Sequence, residues 1–400
     1  MTQRLYYDDP CRVEFDAEIV RIEPRGDRVA VWLDRTAFYP TSGGQPFDTG
    51  TLGSSHVVDV TDDDEGEILH FIETPEPLVV GQRVHGLVNW TRRFDHMQQH
   101  TGQHVLSAAM ARVFDVRTVS FHLGGDAATI DLARELTPAE ILRAEDEANR
   151  VVWEDRAVTI RYASPEEAAA LPLRKEPARG GKLRIIEVEN FDLSACGGTH
   201  VSRTGAIGVI IVWGWERFKG GQRLEFSCGG RTLSRFRLLR DTTKAGMRLL
   251  SVLPSEIPAA IERLQVEAKE HRRELTDLRA QVARHQASEF ASSADAHPLG
   301  RIVLRIVDGD ASVLKIIAVA ITASRGFVVV LVSSSQPVLV VVARSADVKL
   351  SCVEIVNVLA ARFGGRGGGK PDLAQGGGMN AAPDIVLEAA KDVLLGRSAP

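Results

Sequence analysis

Two short motifs carry residue types whose spacing suits a metal ion. His100-Thr101-Gly102-Gln103-His104 falls in a stretch, Arg92 to Val113, that lacks proline and repeats apolar residues at helical intervals. Residues i and i+4 of a helix share a face, so both imidazoles can converge on one point. No glutamate follows the first histidine, so the zinc-protease pattern HExxH is absent. HxxxH alone is common by chance. Cys196-Gly197-Gly198-Thr199-His200 adds a thiolate and an imidazole, and glycine's tolerance of positive φ lets such a turn fold back on itself. Two nitrogens from a helix with one sulfur and one nitrogen from a turn form a borderline-soft tetrahedral set, which zinc prefers. The bland alternative is a buried cysteine beside a surface histidine. Four protein donors normally close a structural site, whereas catalytic zinc keeps a position for water. The spacing leaves both open.

The elements that must hold these motifs read as an α+β protein. Residues 1 to 90 alternate apolar and polar positions over Ala17 to Ile22 and Arg28 to Leu33, across a turn at Gly26-Asp27, and suggest a small N-terminal β-barrel of short strands. Residues 91 to 250 mix helix and strand, as an α+β zinc domain would. Strands are expected at Val116 to Leu132, Val158 to Tyr162, Leu183 to Val188, Ile207 to Trp213 and Arg223 to Phe226. Thr137, Pro138 and Glu140 open a helix with a capping box. Residues 251 to 292 form a long linker helix. Its positions Ile261, Leu264, Ala268, His271, Leu275, Leu278, Val282 and His285 follow heptad steps that imply a partner helix, or else a solvated connector. Residues 293 to 400 read as a small C-terminal α/β domain, with strands at Arg301 to Val307, Gly326 to Val332 and Val338 to Val342 among three helices.

Composition narrows the classes. With 44% hydrophobic and 25% charged residues, the 400-residue chain is globular and long enough for two or three domains. No apolar run reaches membrane-spanning length, and four scattered cysteines make no disulfide framework, so the expected setting is cytoplasmic. A net charge of −5 argues mildly against nucleic acid, but the charge is uneven. Acid gathers at Asp59 to Glu67. Base gathers at Arg174, Lys175, Arg179, Lys182 and Arg184, and again at Arg231, Arg235, Arg237, Arg240, Lys244 and Arg248.

The glycine-rich Gly364 to Gly378 contains no P-loop and reads as a flexible linker or as a loop in which Arg366 and Lys370 approach an RNA backbone.

Taken in order, Phe38-Tyr39-Pro40-Thr41-Ser42-Gly43-Gly44-Gln45-Pro46, the HxxxH and CxxxH segments, Arg223-Leu224-Glu225-Phe226 with Cys228-Gly229, and Gly364 to Gly378 resemble the alanyl-tRNA editing proteins and the editing domain of alanyl-tRNA synthetase. The resemblance implies one Zn²⁺ per chain at His100, His104, Cys196 and His200. It implies hydrolysis of a mischarged tRNA(Ala) in trans, since the aminoacylation half of a synthetase would precede the barrel. A pocket for alanine admits glycine by size and can admit serine. A second site that hydrogen-bonds a hydroxyl discriminates by ~10⁴ to 10⁵ against the analogue lacking it. Gln103, Ser120, His122 and Thr41 are the candidate pocket groups, with serine the expected target and glycine second. Homodimerisation through 257 to 289 and the C-terminal domain is expected. The alternative is a non-catalytic, zinc-containing tRNA-binding or dimerisation module. A zinc hydrolase of small esters is a third possibility, against which the C-terminal signature speaks.

Overall fold

The structure is a computed structural model that describes residues 1–26, 28–63, 66–73, 78–125, 127–174 and 183–396. Lys175, Arg179 and Lys182 of the first basic cluster, Asp64 and Glu65 of the acidic run, and Asp27 of the expected hairpin turn lie outside the described residues. The chain divides into two compact units, Met1–Gly246 and Met247–Pro400.

The first unit opens with a closed six-stranded barrel, in the order Glu14–Arg25, Arg28–Leu33, Ile68–Glu73, Ser55–Asp62, Gly50–Leu52 and Arg83–Val88. Alternation builds it. Arg83–Val88 buries every second residue, and Ile19, Leu33, Leu52, Ile68 and Ile72 fill the interior. The helix Trp90–Phe114 follows, capped by Asn89, whose side chain accepts from the Arg92 N–H. Every residue from His96 to Met110 is buried, so this helix is enclosed on all sides. Around it stand a four-stranded sheet (Ile210–Phe218, Gly221–Cys228, Ala128–Leu132, Thr118–Leu123), a three-stranded sheet (Val158–Ala163, Leu183–Val188, Asp192–Ala195) and the helix Pro138–Trp153 with its Thr137–Glu140 capping box.

Two local expectations change here. The strand expected from Ile207 begins at Ile210, because Thr204–Ile207 closes as a 3₁₀ turn ending in Gly208 at φ 76°. The basic run Arg231 to Arg248 lies on an unanticipated helix, Gly229–Leu250. Its apolar residues Leu233, Phe236, Leu238 and Leu239 are exposed, so no buried face marked it.

The second unit starts with the 36-residue helix Ile257–Ser292. A mixed six-stranded sheet follows, in the order Asp295–His297, Gly300–Val307, Phe327–Ser333, Val338–Arg344, Leu373–Met379 and Arg366–Lys370. Phe327–Ser333 is buried at every position because both faces are covered. Val329 and Leu331 pack with the helix Ala311–Thr322 and with Ala283 and Ala287 of the long helix. Val328, Val330 and Val332 pack with the helices Cys352–Phe363 and Pro383–Leu394.

The glycine-rich segment is a β-hairpin at the sheet edge, not a flexible linker or a loop. Its glycines let the sheet lie close to Cys352–Phe363: a Cβ on Gly367 would stand 2.2 Å from the Val356 Cγ1. Arg366 and Lys370 are exposed on the edge strand. The heptad seam of Ile257–Ser292 is also exposed, Leu275 at 49% and Val282 at 59%. Among the described residues no helix is long and apolar enough to cross a membrane.

Candidate metal centre

His100, His104, Cys196 and His200 come together, their donor atoms all within 4.8 Å of one another. The Cys196 Sγ lies 3.3 Å from the His100 Nε2 and 3.4 Å from the His200 Nε2. A tetrahedral ion with bonds of ~2.3 Å to sulfur and ~2.0 Å to nitrogen has N–S edges of about 3.5 Å. The cluster therefore has the size of such a site and could hold a metal ion.

The far nitrogen of each imidazole has a partner that fixes its tautomer. His100 Nδ1 donates to the Gln45 Oε1 at 2.8 Å, while the Gln45 amide nitrogen donates to the Thr199 Oγ1 and Gln45 Oε1 also accepts from the Thr199 N–H. His104 Nδ1 donates to the buried Asp192 carboxylate at 3.1 Å. Thr101 gives its own proton to the Met97 carbonyl, so its oxygen accepts from His200 Nδ1 at 3.2 Å. All three Nε2 lone pairs thus remain for an ion, as outer partners of ligating histidines usually arrange.

Charge follows from the same contacts. Burial alone would raise the Cys196 thiol, but its contacts with the surrounding His100, His200 and His104 rings hold it well below its ordinary value. Burial, and then the His100 ring, pushes His200 down to about 3. Burial works to lower His104 too, yet the Asp192 and Cys196 hydrogen bonds leave it raised. The low thiol and the lowered His200 suit a cation, and His104 must give up a proton when one binds.

The backbone admits this only without side chains at two places. A Cβ on Gly198 would stand 2.1 Å from the His100 Cε1, and one on Gly102 would stand 2.2 Å from the Cys228 Sγ. Arg184 clamps the turn, donating to the carbonyls of Cys196 and Gly198 at 2.7 and 2.9 Å. Arg174 pairs with Asp192 at 2.6 Å. The described members of that basic cluster are therefore structural groups and not a free surface.

A pocket of about 130 Å³ adjoins Cys196 and His104, with Gln103, Ser120, Thr118 and Arg174 on its wall. Gln103 is buried, and among the described residues its Oε1 has no hydrogen-bond partner. Its amide nitrogen donates to the Ser107 Oγ, which also accepts from Thr118, so the orientation is fixed. Ser120 donates to Asp131, whose carboxyl is lowered chiefly by its hydrogen bond with Arg223.

Thr41 and His122 lie elsewhere on the surface. Both are exposed and neither lines this pocket. His122 shares its strand face with Ser120 but stands one step beyond Phe121, the last residue of that strand on the wall, and Thr41 stands two residues before Gly43, which does reach the wall. Gln45, Asp192, Thr101 and Arg184 escaped sequence reasoning. Their one signal was proximity to the motifs: Gln45 ends the glycine-rich loop, and Asp192 lies four residues before Cys196.

Residues 4–92 match the family model for tRNA synthetases class II (A), residues 183–225 that for the threonyl and alanyl tRNA synthetase second additional domain, and residues 300–395 the DHHA1 domain. Over 410 residues the chain is 32% identical to the alanyl-tRNA editing protein AlaX-L of Pyrococcus horikoshii, with 98% of each chain covered. It is 34% identical over 387 residues to the alanine–tRNA ligase of Pyrococcus abyssi, covering 94% of this chain and 42% of that enzyme. The ligase of Thermococcus kodakarensis is 35% identical over 390 residues, with 41% of that enzyme covered. The chain thus spans about two fifths of the length of the ligases it matches.

Proposed function

We propose a function from one premise: the chain belongs to the alanyl-tRNA editing protein family. It hydrolyses, in trans, the ester that joins a wrong amino acid to the terminal adenosine of tRNA(Ala), with serine the preferred error and glycine second. In this reading residues 1–90 are the barrel, 91–250 the editing domain, 251–292 the linker, and 293–400 a tRNA-binding and dimerising domain with Arg366 and Lys370 at the RNA. The protein works in the cytoplasm as a homodimer.

The observation that carries the serine reading is the unpartnered Gln103 Oε1 on the wall of a pocket of about 130 Å³, a volume that suits an amino acid. A serine hydroxyl donates to that oxygen. Alanine leaves it buried and unpaired, and such an omission discriminates far more strongly than a missing methylene. Ser120, its proton committed to Asp131, keeps lone pairs for the substrate ammonium.

The donor set fits Zn²⁺, held by His100, His104, Cys196 and His200. When bound, zinc supplies Lewis acidity that polarises a carbonyl or orients the amino acid. Asp192, Gln45 and Thr101 hold the three imidazoles in the ligating tautomer, and Arg184 holds the turn that carries the thiolate.

The test is deacylation of Ser-tRNA(Ala) and Ala-tRNA(Ala) by the purified protein and by Cys196→Ala, with zinc content measured for both. Loss of serine but not alanine, abolished in the variant together with zinc, is the expected result. If neither ester is cleaved while zinc and tRNA stay bound, the protein is a non-catalytic tRNA-binding module.

A further inference from the structure

A cleft of about 730 Å³ lies in the first unit away from the metal centre, walled by Trp90, Phe94, Gln98, Gly230, Arg231 and Ser234. On the helix Trp90–Phe114, positions 91, 94, 95 and 98 follow helical steps along one side, whereas His100 and His104 lie on another. The cleft is therefore separate from the pocket beside Cys196.

Its floor has an aromatic step. Trp90 stacks on Phe94, with ring centroids 5.2 Å apart and planes 29° apart. Trp90 is nevertheless 41% exposed, so one face is braced and the other is open. Beside it the Arg231 guanidinium is immobilised: it forms bonds of 2.6 to 3.0 Å to the Asp95 carboxylate and one of 2.7 Å to the Gly124 carbonyl. Because Asp95 neutralises it, Arg231 offers a flat surface and not net charge.

Net charge comes from further along the helix Gly229–Leu250. Gly230 and Ser234 face the cleft, and steps of three and seven residues from Ser234 reach Arg237 and then Lys244 on the same side. Both are exposed, and neither has an ion pair among the described residues; Asp241 on the same side is bonded to Arg240 and also feels the Lys244 charge. A fixed aromatic surface that opens onto unpaired cations, in a chain of net charge −5, complements a strand with π-faced bases and a charged backbone.

We infer that this cleft is an RNA-binding site distinct from the metal centre: an unpaired base of the tRNA stacks on Trp90, and the adjoining phosphates lie on Arg237 and Lys244. The inference rests on the reading that tRNA is the substrate, and it adds where that RNA is gripped.

Binding of uncharged, fluorescently labelled tRNA(Ala) to the full chain tests it by anisotropy over a salt series. Trp90→Ala weakens binding about tenfold, the range for loss of one base–aromatic stack. Trp90→Phe restores most of it, which a purely packing role would not require. Arg237→Glu with Lys244→Glu weakens binding more than tenfold at low salt and flattens the log–log salt slope by roughly 1.5, the share of two phosphate contacts. Zinc content and melting temperature stay at the wild-type values. Equal affinity and equal slope in all variants would overturn the inference, as would equal weakening by Trp90→Ala and Trp90→Phe. Because the tRNA is uncharged, a chain that binds it and never deacylates defeats the hydrolase reading alone. A wild-type chain that binds no tRNA defeats both.

Discussion

The helix Trp90–Phe114 is polar in composition and buried for most of its length, whereas Ile257–Ser292 carries an apolar seam and leaves it exposed. In the first, most of the buried polar groups have a destination, the His96 Nδ1 and the Gln103 Oε1 being exceptions among the described residues. Gln98 donates to the Ala206 carbonyl, Gln99 both donates to and accepts from the Cys228 backbone, and His100 and His104 meet Gln45 and Asp192. Burying such groups costs little when they are paired and several kcal/mol when they are not. In the second, the spacing of the seam buries none of its apolar members, and only Ala260, Ala283 and Ala287 of the helix are fully buried. Burial follows the partner and not the residue type. The pairings that make a polar helix tolerable in a core are the ones that shape its chemistry.

The largest test of this contrast is Arg93→Ala. Arg93 and Asp48 are both fully buried, and Arg93 also donates to the Pro10 and Ala37 carbonyls. Removing the cation leaves a lone carboxylate in the core, and urea unfolding is expected to show a loss of ~3–5 kcal/mol. A loss within experimental error would mean that the pairing does not sustain the helix's burial.

Next is His96, buried, its Nδ1 without a partner among the described residues, and pushed down to about 4, chiefly by burial and then by the Arg92 charge. Its folded value is below its unfolded one, so the unfolded chain binds the extra proton as pH falls from about 6.5 to about 4. Stability is full above that window and declines across it, by about 3 kcal/mol for this group. With EDTA present in both proteins, His96→Gln is expected to decline less between pH 6.5 and 4 than the wild type. Parallel curves would assign the acid loss to other groups.

Gln45→Ala sharpens the comparison at the candidate metal site. Loss of an outer partner weakens metal affinity ~10–100-fold, measurable by chelator competition, while the donor set stays complete. Unchanged affinity would show that His100 needs no help from the barrel. Smallest is Leu275→Gln on the exposed seam, which shifts the stability of the dilute protomer by under ~0.5 kcal/mol and acts instead on association, read as solution mass against concentration. A multi-kcal/mol loss at high dilution would mean the seam is covered within one chain.

What was legible in the sequence was local. HxxxH and CxxxH encode their own convergence through helix pitch and a glycine turn, and the barrel strands and capping box announce themselves by alternation and by Thr137, Pro138 and Glu140. What stayed hidden was made by distance. Gln45 lies 55 residues from His100, and Asp192 lies 88 from His104. Gly364 to Gly378 was misread because glycine is a poor strand former, and its place in the sheet is set by the approach to Val356 that only a missing Cβ permits. The helix Gly229–Leu250 has an exposed apolar side and a cationic side, so no buried stripe betrayed it.

Gln45 also limits how this protein can be taken apart. The barrel contributes, through one amide, the acceptor that orients the candidate ligand His100 on the following helix and the donor that holds Thr199 beside His200. Any recombination event or engineered graft that joins a foreign barrel at Asn89 must bring an amide to that spot, or else inherit a donor cluster with one unsteady imidazole. The seam between barrel and helix is thus a poor crossover point, and segments on either side of it should travel together.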